Sequence, residues 1–464
     1  MSAVLERVTA NTRAVPLSQA VEINPKPDRS LLSDDLDVSF VPMTMVEAGT
    51  GNIDATTVRK YAEVKKGYTY FRDGDVLFAK ITPCMENGKI AVARHLRNGI
   101  GFGSTEFHVL RAREDVDPHY VYHFVASSRF RAEAAHYMTG AVGQKRVPTS
   151  FLERAGIPLP PIEDQRRIVA EIEKQFSRLD EAVANLKRVK ANLKRYKATV
   201  LKAAVEGRLV PTEAELACRE GRSYETGTQL LQRVLETRRR QWKDKGKYKE
   251  PTAPDLTDLP ELPEGWCWSS AIQSCDPVID CHNKTAPYAG SGIALVRTTN
   301  IRDGRLLLEN VRYVDQPTYE FWSRRCPPEP GDVLFTREAP MGEAAIIPPG
   351  IKLCMGQRTM LMRPSAAISA GFLLYALMSP VIKSLIGRTA VGTGVKHLRV
   401  GDVELLPIPL PPSAEQHRIV AEVDRRLSFV RGVEGDVNAK LKRTDRLMAS
   451  ILCSAFAVST GSEY

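Results

Sequence analysis

No stretch of eighteen consecutive apolar residues occurs in the chain, which argues against a membrane-spanning helix. The opening residues, MSAVLERVTANTRAV, have no apolar core of the kind a secretory signal needs. Cysteines are few and scattered. The eight of them form no CxxC pair, and the tightest group, Cys275, Cys281 and His282, fits no standard zinc spacing. Free thiols in a reducing cytoplasm are therefore expected, with no bound metal. Catalytic signatures are missing too. GAVGQKR lacks the GK[ST] ending of a P-loop. NPKP at Asn24 and GIGFG at Gly99 fall short of the Asn/Asp-Pro-Pro-aromatic tetrapeptide and the Gly-rich cofactor loop of a DNA methyltransferase. Asp75, Glu86 and Lys89 stand in rough nuclease order, but the second half offers only Asp332 and Glu338 without a matching lysine. No catalytic residue is expected in this chain.

What the chain does have is one motif written twice. Residues 157–171 read IPLPPIEDQRRIVAE and residues 408–422 read IPLPPSAEQHRIVAE, eleven identities in fifteen at an offset of 251. Such a match implies an internal repeat and two related halves. A length of 464 residues, 43% hydrophobic and 26% charged, suits a globular protein of two to four domains. Other landmarks return in the same order. GDVLFAK at Gly74 recurs as GDVLFTR at Gly331, and GSTEFHVLRA at Gly103 as GQRTMLMRP at Gly356. The turn carrying Gln144, Lys145 and Arg146 recurs as AVGTGVKHLRV, with Lys396 and His397 in the corresponding positions. Between these landmarks the halves share almost nothing.

The first half opens with short segments such as SFVPMTMV, GDVLFAKIT, GKIAVARH and FHVLRA, which read as strands bounded by Gly, Asp or Pro. One helix is expected there, with apolar residues recurring at helical spacing from Val121 to Tyr137. Pro158, Pro160 and Pro161 then hold the chain extended, and Glu163 and Asp164 favour the start of a long helix. Phe176, Leu179, Val183, Leu186, Lys190, Leu193, Lys197 and Val200 follow alternating three- and four-residue steps, a heptad seam interrupted by two lysines. Forty such residues would make a rod of roughly 60 Å. An exposed seam needs a partner helix. The second half supplies one in Leu427, Val430, Glu434, Val437, Leu441, Thr444, Met448 and Ile451.

The expected fold is α+β: two β-rich mixed domains separated by two long helices that form an antiparallel coiled coil, related by a pseudo-two-fold internal repeat. The expected boundaries are a first recognition head at 1–161, a long helix at 162–206 and a connector at 207–258 with a short helix and a Pro-rich stretch. A second head follows at 259–412, a second long helix at 413–457 and a tail at 458–464. The connector could be ordered against the rod.

The formal net charge is +10, and it is unevenly spread. Residues 186–205 hold seven Lys or Arg and no acid, and a second basic run, RRRQWKDKGKYK, spans 238–249. An anionic partner fits, nucleic acid being the commonest; a solvated helix face is the competing reading of either run alone. Two different heads on a rigid spacer suit a two-part double-stranded DNA target whose half-sites are set apart by protein geometry. Residue types that read base edges are available on loops of both heads. In the first head they are Lys80, Thr82, Asn87, Lys89, Gln144, Lys145 and Arg146. In the second they are Arg297, Thr298, Asn300, Arg337, Gln357, Arg358, Lys396 and His397. Taken singly, most such residues are solvated loop positions; the basic tip that recurs in both halves is the stronger signal.

With the duplicated LPPxxEQxRIVAEI-type motif, GDVLF in each half and the LPELPEGWCW opening of the second, the chain resembles the specificity subunits of type I restriction–modification systems, from about Leu17 to Phe456. The resemblance implies a non-catalytic, cytoplasmic subunit whose heads are target recognition domains and whose helices form an antiparallel coiled coil. It implies two methyltransferase subunits docked on the chain, joined by restriction and translocase subunits. S-adenosylmethionine, ATP and magnesium would belong to those partners. In that setting Gln165, Arg167, Gln416 and Arg418, recurring where head and rod join, are expected to dock the partner subunits. The first half departs from the pattern, beginning with RAVPLSQAVEIN where the second has GWCW, and the chain ends LCSAFAVSTGSEY with no glycine after the Ala-Phe, so its last turn is expected to fray. A scaffold outside a restriction system, with heads that bind DNA or protein, is the alternative, and an intrinsic DNA methyltransferase or nuclease the weaker one.

Overall fold

The computed structural model describes residues 12–141, 143–243, 246–257, 259–282 and 284–456, without the side chain of Leu31. The expected tail and the expected fraying of the last turn lie outside the described residues. The chain divides into two compact units, Met1–Arg188 with Val437–Tyr464, and Val189–Asp436.

The first unit contains the first head, with strands β1 (Ala14–Pro16), β2 (Val21–Ile23), β3 (Asp37–Val41), β4 (Val58–Lys60), β5 (Thr69–Arg72), β6 (Val76–Ala79), β7 (Ile90–Val92), β8 (Ile100–Gly103), β9 (Phe107–Ala112) and β10 (Gly156–Pro158). They form two four-stranded sheets, ordered β2-β9-β6-β7 and β4-β3-β8-β5, and a β1-β10 pair. Among the described strands of this head, only β3 and β8 pair in parallel. The GDVLF motif becomes β6, and its four residues are all buried. Val76 and Phe78 point into one core and Leu77 into another, so burial on both faces replaces the usual alternation.

The single helix expected between Val121 and Tyr137 is two helices, Pro118–Ala126 and Ser128–His136. Ser127 lies between them in extended geometry, and its hydroxyl accepts from Phe130 N at 3.3 Å. A local N-cap has overridden the apolar periodicity. The second head repeats the break at Ser379, which caps Pro380–Thr389 after Ala370–Met378.

In the second unit the head is built from β11 (Cys267–Ser270), β12 (Cys275–Asp280), β13 (Ile293–Val296), β14 (Ile301–Arg302), β15 (Arg305–Leu306), β16 (Arg312–Val314), β17 (Val333–Thr336), β18 (Ala344–Ile346), β19 (Leu353–Met355), β20 (Thr359–Pro364) and β21 (Pro407–Leu410). The sheet β12-β20-β17-β18 repeats the first head's β2-β9-β6-β7, and β13 pairs with β19 in parallel as β3 does with β8. The second sheet differs: the helix Gln316–Ser323 packs against β13 and β19 through Tyr319 and Trp322, where the first head lays β5 against β8.

The long helices run Ile162–Val205 and Ser413–Ala455. In the first unit, Ile168, Val169 and Ile172 from the start of one share a core with Leu452, Ala455 and Phe456 from the end of the other. In the second, Val200, Leu201, Ala204 and Val205 from the end of the first join Ile419, Val423 and Leu427 from the start of the second. The helices form an antiparallel coiled coil, and one lysine that interrupts the seam, Lys197, meets the seam acid Glu434 at 3.9 Å.

The connector holds two helices where one was expected. Glu213–Glu220 is fixed by a Thr212–Glu215 capping box and a left-handed Gly221, and Gly227–Gln241 by a Thr226–Gln229 box. It packs on the second head through Leu230, which shares a core with Ile368 and Leu410. The approach is close: a Cβ at Gly227 would sit 2.2 Å from the Leu410 carbonyl. No single helix among the described residues is long and apolar enough to cross a membrane. The eight cysteines are free thiols.

Candidate nucleic-acid interface

In each head three chain segments meet at one corner of the central sheet. In the first, Lys80 N donates to the Glu106 carbonyl at 2.9 Å, and Val147 N to the Lys80 carbonyl at 2.8 Å. Arg146 lies between Ile81 and Thr139 as a β-bridge partner of both. In the second, Arg337 N donates to the Arg358 carbonyl at 2.9 Å and Leu398 N to the Arg337 carbonyl at 3.0 Å, while His397 bridges Glu338 and Val391. Strand register fixes the equivalences, since Phe78 faces His108 as Phe335 faces Met360. Glu106 therefore corresponds to Arg358, and Gly103 to Met355 rather than to Gly356, one residue away from the sequence match.

The corner gathers most of the residues chosen from sequence. Gln144 and Lys145 are exposed at the loop tip, and Lys396 at its counterpart. Thr82 stands behind the tip, its hydroxyl accepting from Lys145 N at 3.2 Å. Asn87 is exposed on the turn that follows, whereas the Lys89 ammonium donates to the Met43 carbonyl at 2.8 Å and is committed within the fold. Arg146 is committed as well. Its Nε and Nη2 hold both oxygens of Glu106 at 2.9 and 2.8 Å, and its Nη1 donates to the Gln144 carbonyl. That pairing keeps the Glu106 carboxyl below its ordinary pKa.

In the second head Arg337 donates from Nη1 to the Leu398 carbonyl at 3.0 Å, and Gln357 accepts from the Thr285 hydroxyl at 3.1 Å. Arg358 is exposed and pairs through Nε with Glu338 at 3.0 Å. Two proposed contacts are corrected. Thr298 and Asn300 are buried; Asn300 accepts from Arg297 N and donates to the Leu307 carbonyl, and Thr298 donates to the Ala339 carbonyl. Their polar atoms hold loops together and are not presented to a ligand. Arg297, half-buried, stands at the N-cap position of the same turn without a side-chain cap bond.

Of the acids that face these guanidinium groups, Glu106 was not singled out from sequence, and Glu338 was named there only as a candidate metal-binding acid, not as a partner of Arg358. Neither is near its arginine in the chain, so no local spacing signals them. The Asp of each GDVLF motif has a different task. Asp75 is 1% exposed and takes a two-pronged bond from Arg111 at 2.8 and 2.8 Å; Asp332, 2% exposed, takes the same from Arg363 at 2.7 and 2.8 Å. His108 ties the corner to the core of the first head. Its Nε2 donates to the Val147 carbonyl at 2.8 Å, Nδ1 faces the Asn24 amide at 3.2 Å, and burial pushes its pKa down.

The glutamines of the repeated motif do not face a partner. Gln165 is buried, accepting from Asp117 N at 2.9 Å and donating to the carbonyls of Asp115 and Pro160. Gln416 likewise accepts from Ser369 N at 2.8 Å and donates to the Pro411 carbonyl. Asp117 and Ser369 are the N-caps of equivalent head helices, so each glutamine locks its long helix to its own head. The arginines differ from one another. Arg167 is exposed and pairs with Asp164 at 3.1 Å, while Arg418 pairs at 2.7 Å with Glu213 of the connector helix. Next to it Glu415 is fully buried, accepting from Trp266 Nε1 and Glu213 N. The two positions are therefore not equivalent docking surfaces.

Three arginines of the second basic run are paired within the chain, although Arg239 and Arg240 remain exposed. Arg238 pairs with Asp276, Arg239 with Glu250 and Arg240 with Glu236.

Comparison with known proteins places these features in a family context. The family model for the type I restriction modification DNA specificity domain matches residues 15–195 and 323–441. The specificity subunit of the type I restriction enzyme EcoAI of Escherichia coli is 29% identical, with 88% of this chain and 76% of that one aligned. That of EcoEI, also from Escherichia coli, is 27% identical over the same shares. A solved structure described as the basis of complex assembly and conformational transition of the type I R-M system has a TM-score of 0.62 at 22% identity, over 97% of this chain and 96% of that chain. At that identity the likeness is one of fold.

Proposed function

Because the chain belongs to the type I restriction modification DNA specificity family, we propose that it is the subunit that directs such a complex to a bipartite, asymmetric DNA sequence, each head reading one half-site. It is a non-catalytic subunit that binds DNA and assembles with other components of the restriction–modification system. The observation that carries the reading is the repeated corner: one backbone framework in both heads, lined by different side chains. Such a design keeps the scaffold and varies what faces the bases. Gln144 and Lys145 in the first head, and Arg358 and Lys396 in the second, are the contacts this reading puts foremost.

Two methyltransferase subunits dock along the coiled coil in this proposal, joined by restriction and translocase subunits. S-adenosylmethionine, ATP and magnesium reside on those partners. Exposed aromatics on the long helices support docking there: in the second unit Phe429 is 70% exposed and Tyr196 41%. Apolar side chains so placed gain from being covered.

The test is an exchange. Replacing residues 259–407 with the corresponding head of another family member, then assembling the complex, changes one half-site of the methylated sequence and leaves the other intact. Change in both half-sites, or equal affinity for target and scrambled duplex across a salt series, overturns the proposal.

A further inference from the structure

We infer that Arg358 reads a guanine in the half-site of the second head, donating its two terminal nitrogens to O6 and N7 in the major groove. This rests on the reading that the corner faces DNA, and adds to it a residue, an edge and a base. Three observations on one side chain support it. Its Nε lies 3.0 Å from a carboxylate oxygen of Glu338 in an ion pair, and its guanidinium makes no hydrogen bond among the described residues. An exposed guanidinium steadied by one acid keeps its two terminal nitrogens available as a flat, two-donor face, the complement of the guanine O6/N7 pair. Second, the Arg358 backbone has φ +66°, a left-handed conformation that a long side chain adopts at a cost and keeps only where its surroundings enforce it. The enforcement is visible: the Arg358 carbonyl accepts from Arg337 N, and the Thr359 hydroxyl closes the turn on the Gly356 carbonyl at 2.6 Å. Third, the anchoring acid is itself fixed. Glu338 lies in a β-bridge with His397, and the Ala339 carbonyl beside it accepts from buried Thr298. The other arginine of this type, Arg146, is unsuited to the task, since Glu106 holds its Nε and Nη2 together and the Gln144 carbonyl takes Nη1.

A phosphate contact is the competing role for an exposed arginine, and the two differ in what they discriminate. A base contact is lost with one base pair; a phosphate contact weakens all sequences alike. The experiment uses the assembled complex and the duplex whose methylation defines its target. In the wild-type complex, 7-deazaguanine, which lacks the N7 acceptor, is placed at each guanine of that half-site in turn. One position is expected to lower affinity ~10-fold or more. R358A is expected to bind the normal duplex ~10- to 100-fold more weakly and to become indifferent to 7-deazaguanine at that position. E338Q, which keeps the arginine but loosens its anchor, should blunt the same discrimination.

If no guanine in the half-site is sensitive to loss of N7, or if R358A weakens target and scrambled duplexes by one common factor, the inference is overturned. The corner reading is judged separately by K145A and K396A. Weakened binding by these variants alongside an insensitive Arg358 retains the corner and removes the base contact. Unchanged binding by all three removes both.

Discussion

Where the first head sets Glu106 against the loop arginine Arg146, the second sets Arg358 against Glu338 on the opposite segment. The same backbone hydrogen bonds surround both pairs, so the sign of charge at one structural position is reversed without moving the frame. Beneath the corners the heads agree closely: a buried aspartate–arginine fork, a central strand buried on both faces, and a glutamine tying the head helix to the long helix. The difference teaches a division of labour. Charge that is buried and paired belongs to the scaffold, and charge held at the rim by a single anchor is available for recognition.

The largest way to test that division is through the forks. D75A leaves the guanidinium of Arg111 partly buried without its counter-ion and should cost the first head about 3 kcal/mol or more; D332A leaves Arg363 with only Glu329, at 3.3 Å, and should cost the second head about 2 kcal/mol or more. Hydrogen-exchange protection read separately over the two heads of the full chain measures this. Similar losses confirm a shared scaffold, and a loss below about 1 kcal/mol in one head would break the equivalence.

Acid should separate what the forks equate. The first head buries His108 and His123, and the structurally equivalent positions in the second hold Met360 and Tyr375. Burial pushes the His123 imidazole down to about 4 from an ordinary 6.5. As pH falls below about 6.5 the unfolded chain takes up a proton that the folded head refuses, so stability is lost from there down to about pH 4. Between pH 7 and pH 5 this one group costs the first head ~2 kcal/mol, and His108 acts in the same direction. Exchange protection should drop in the first head and not at the equivalent positions of the second; a parallel drop in both would place the sensitivity elsewhere.

How much of this was legible in the chain follows from the range of each interaction. The repeat, the long helices and the seam depend on periodic local pattern, which a sequence displays directly. The corner was legible as a recurring basic tip. Its internal assignments were not, because Arg146 is neutralised by a residue forty positions away and Asn300 looks like any loop asparagine until its partners, Arg297 and Leu307, are seen around it. The motif glutamines misled for the same reason. A polar residue that recurs in both halves suits a partner surface or an internal lock, and only the Asp117 and Ser369 amides, roughly fifty residues distant, decide for the lock. The single helix expected over the first head failed on a shorter scale, since one serine cap outweighed apolar spacing.

The smallest expected effect lies in the coiled coil, where the repeat is again broken by charge. Lys197 and Glu434 pair at 3.9 Å, and the repeat offset gives them Met448 and Val183 as counterparts. With about a quarter of each side chain exposed, the ion pair should be worth less than about 1 kcal/mol, by comparison with other solvent-accessible pairs. K197M or E434V alone leaves the other charge at the seam and should lower the unfolding midpoint. The double variant restores the apolar pair that the other half carries, and should recover the midpoint or raise it. Its cost would then appear as looser helix register, because a polar pair at one seam level penalises every misaligned arrangement. A double-mutant cycle in the full chain measures the coupling, and strict additivity of the two substitutions would remove the pair from any role in alignment.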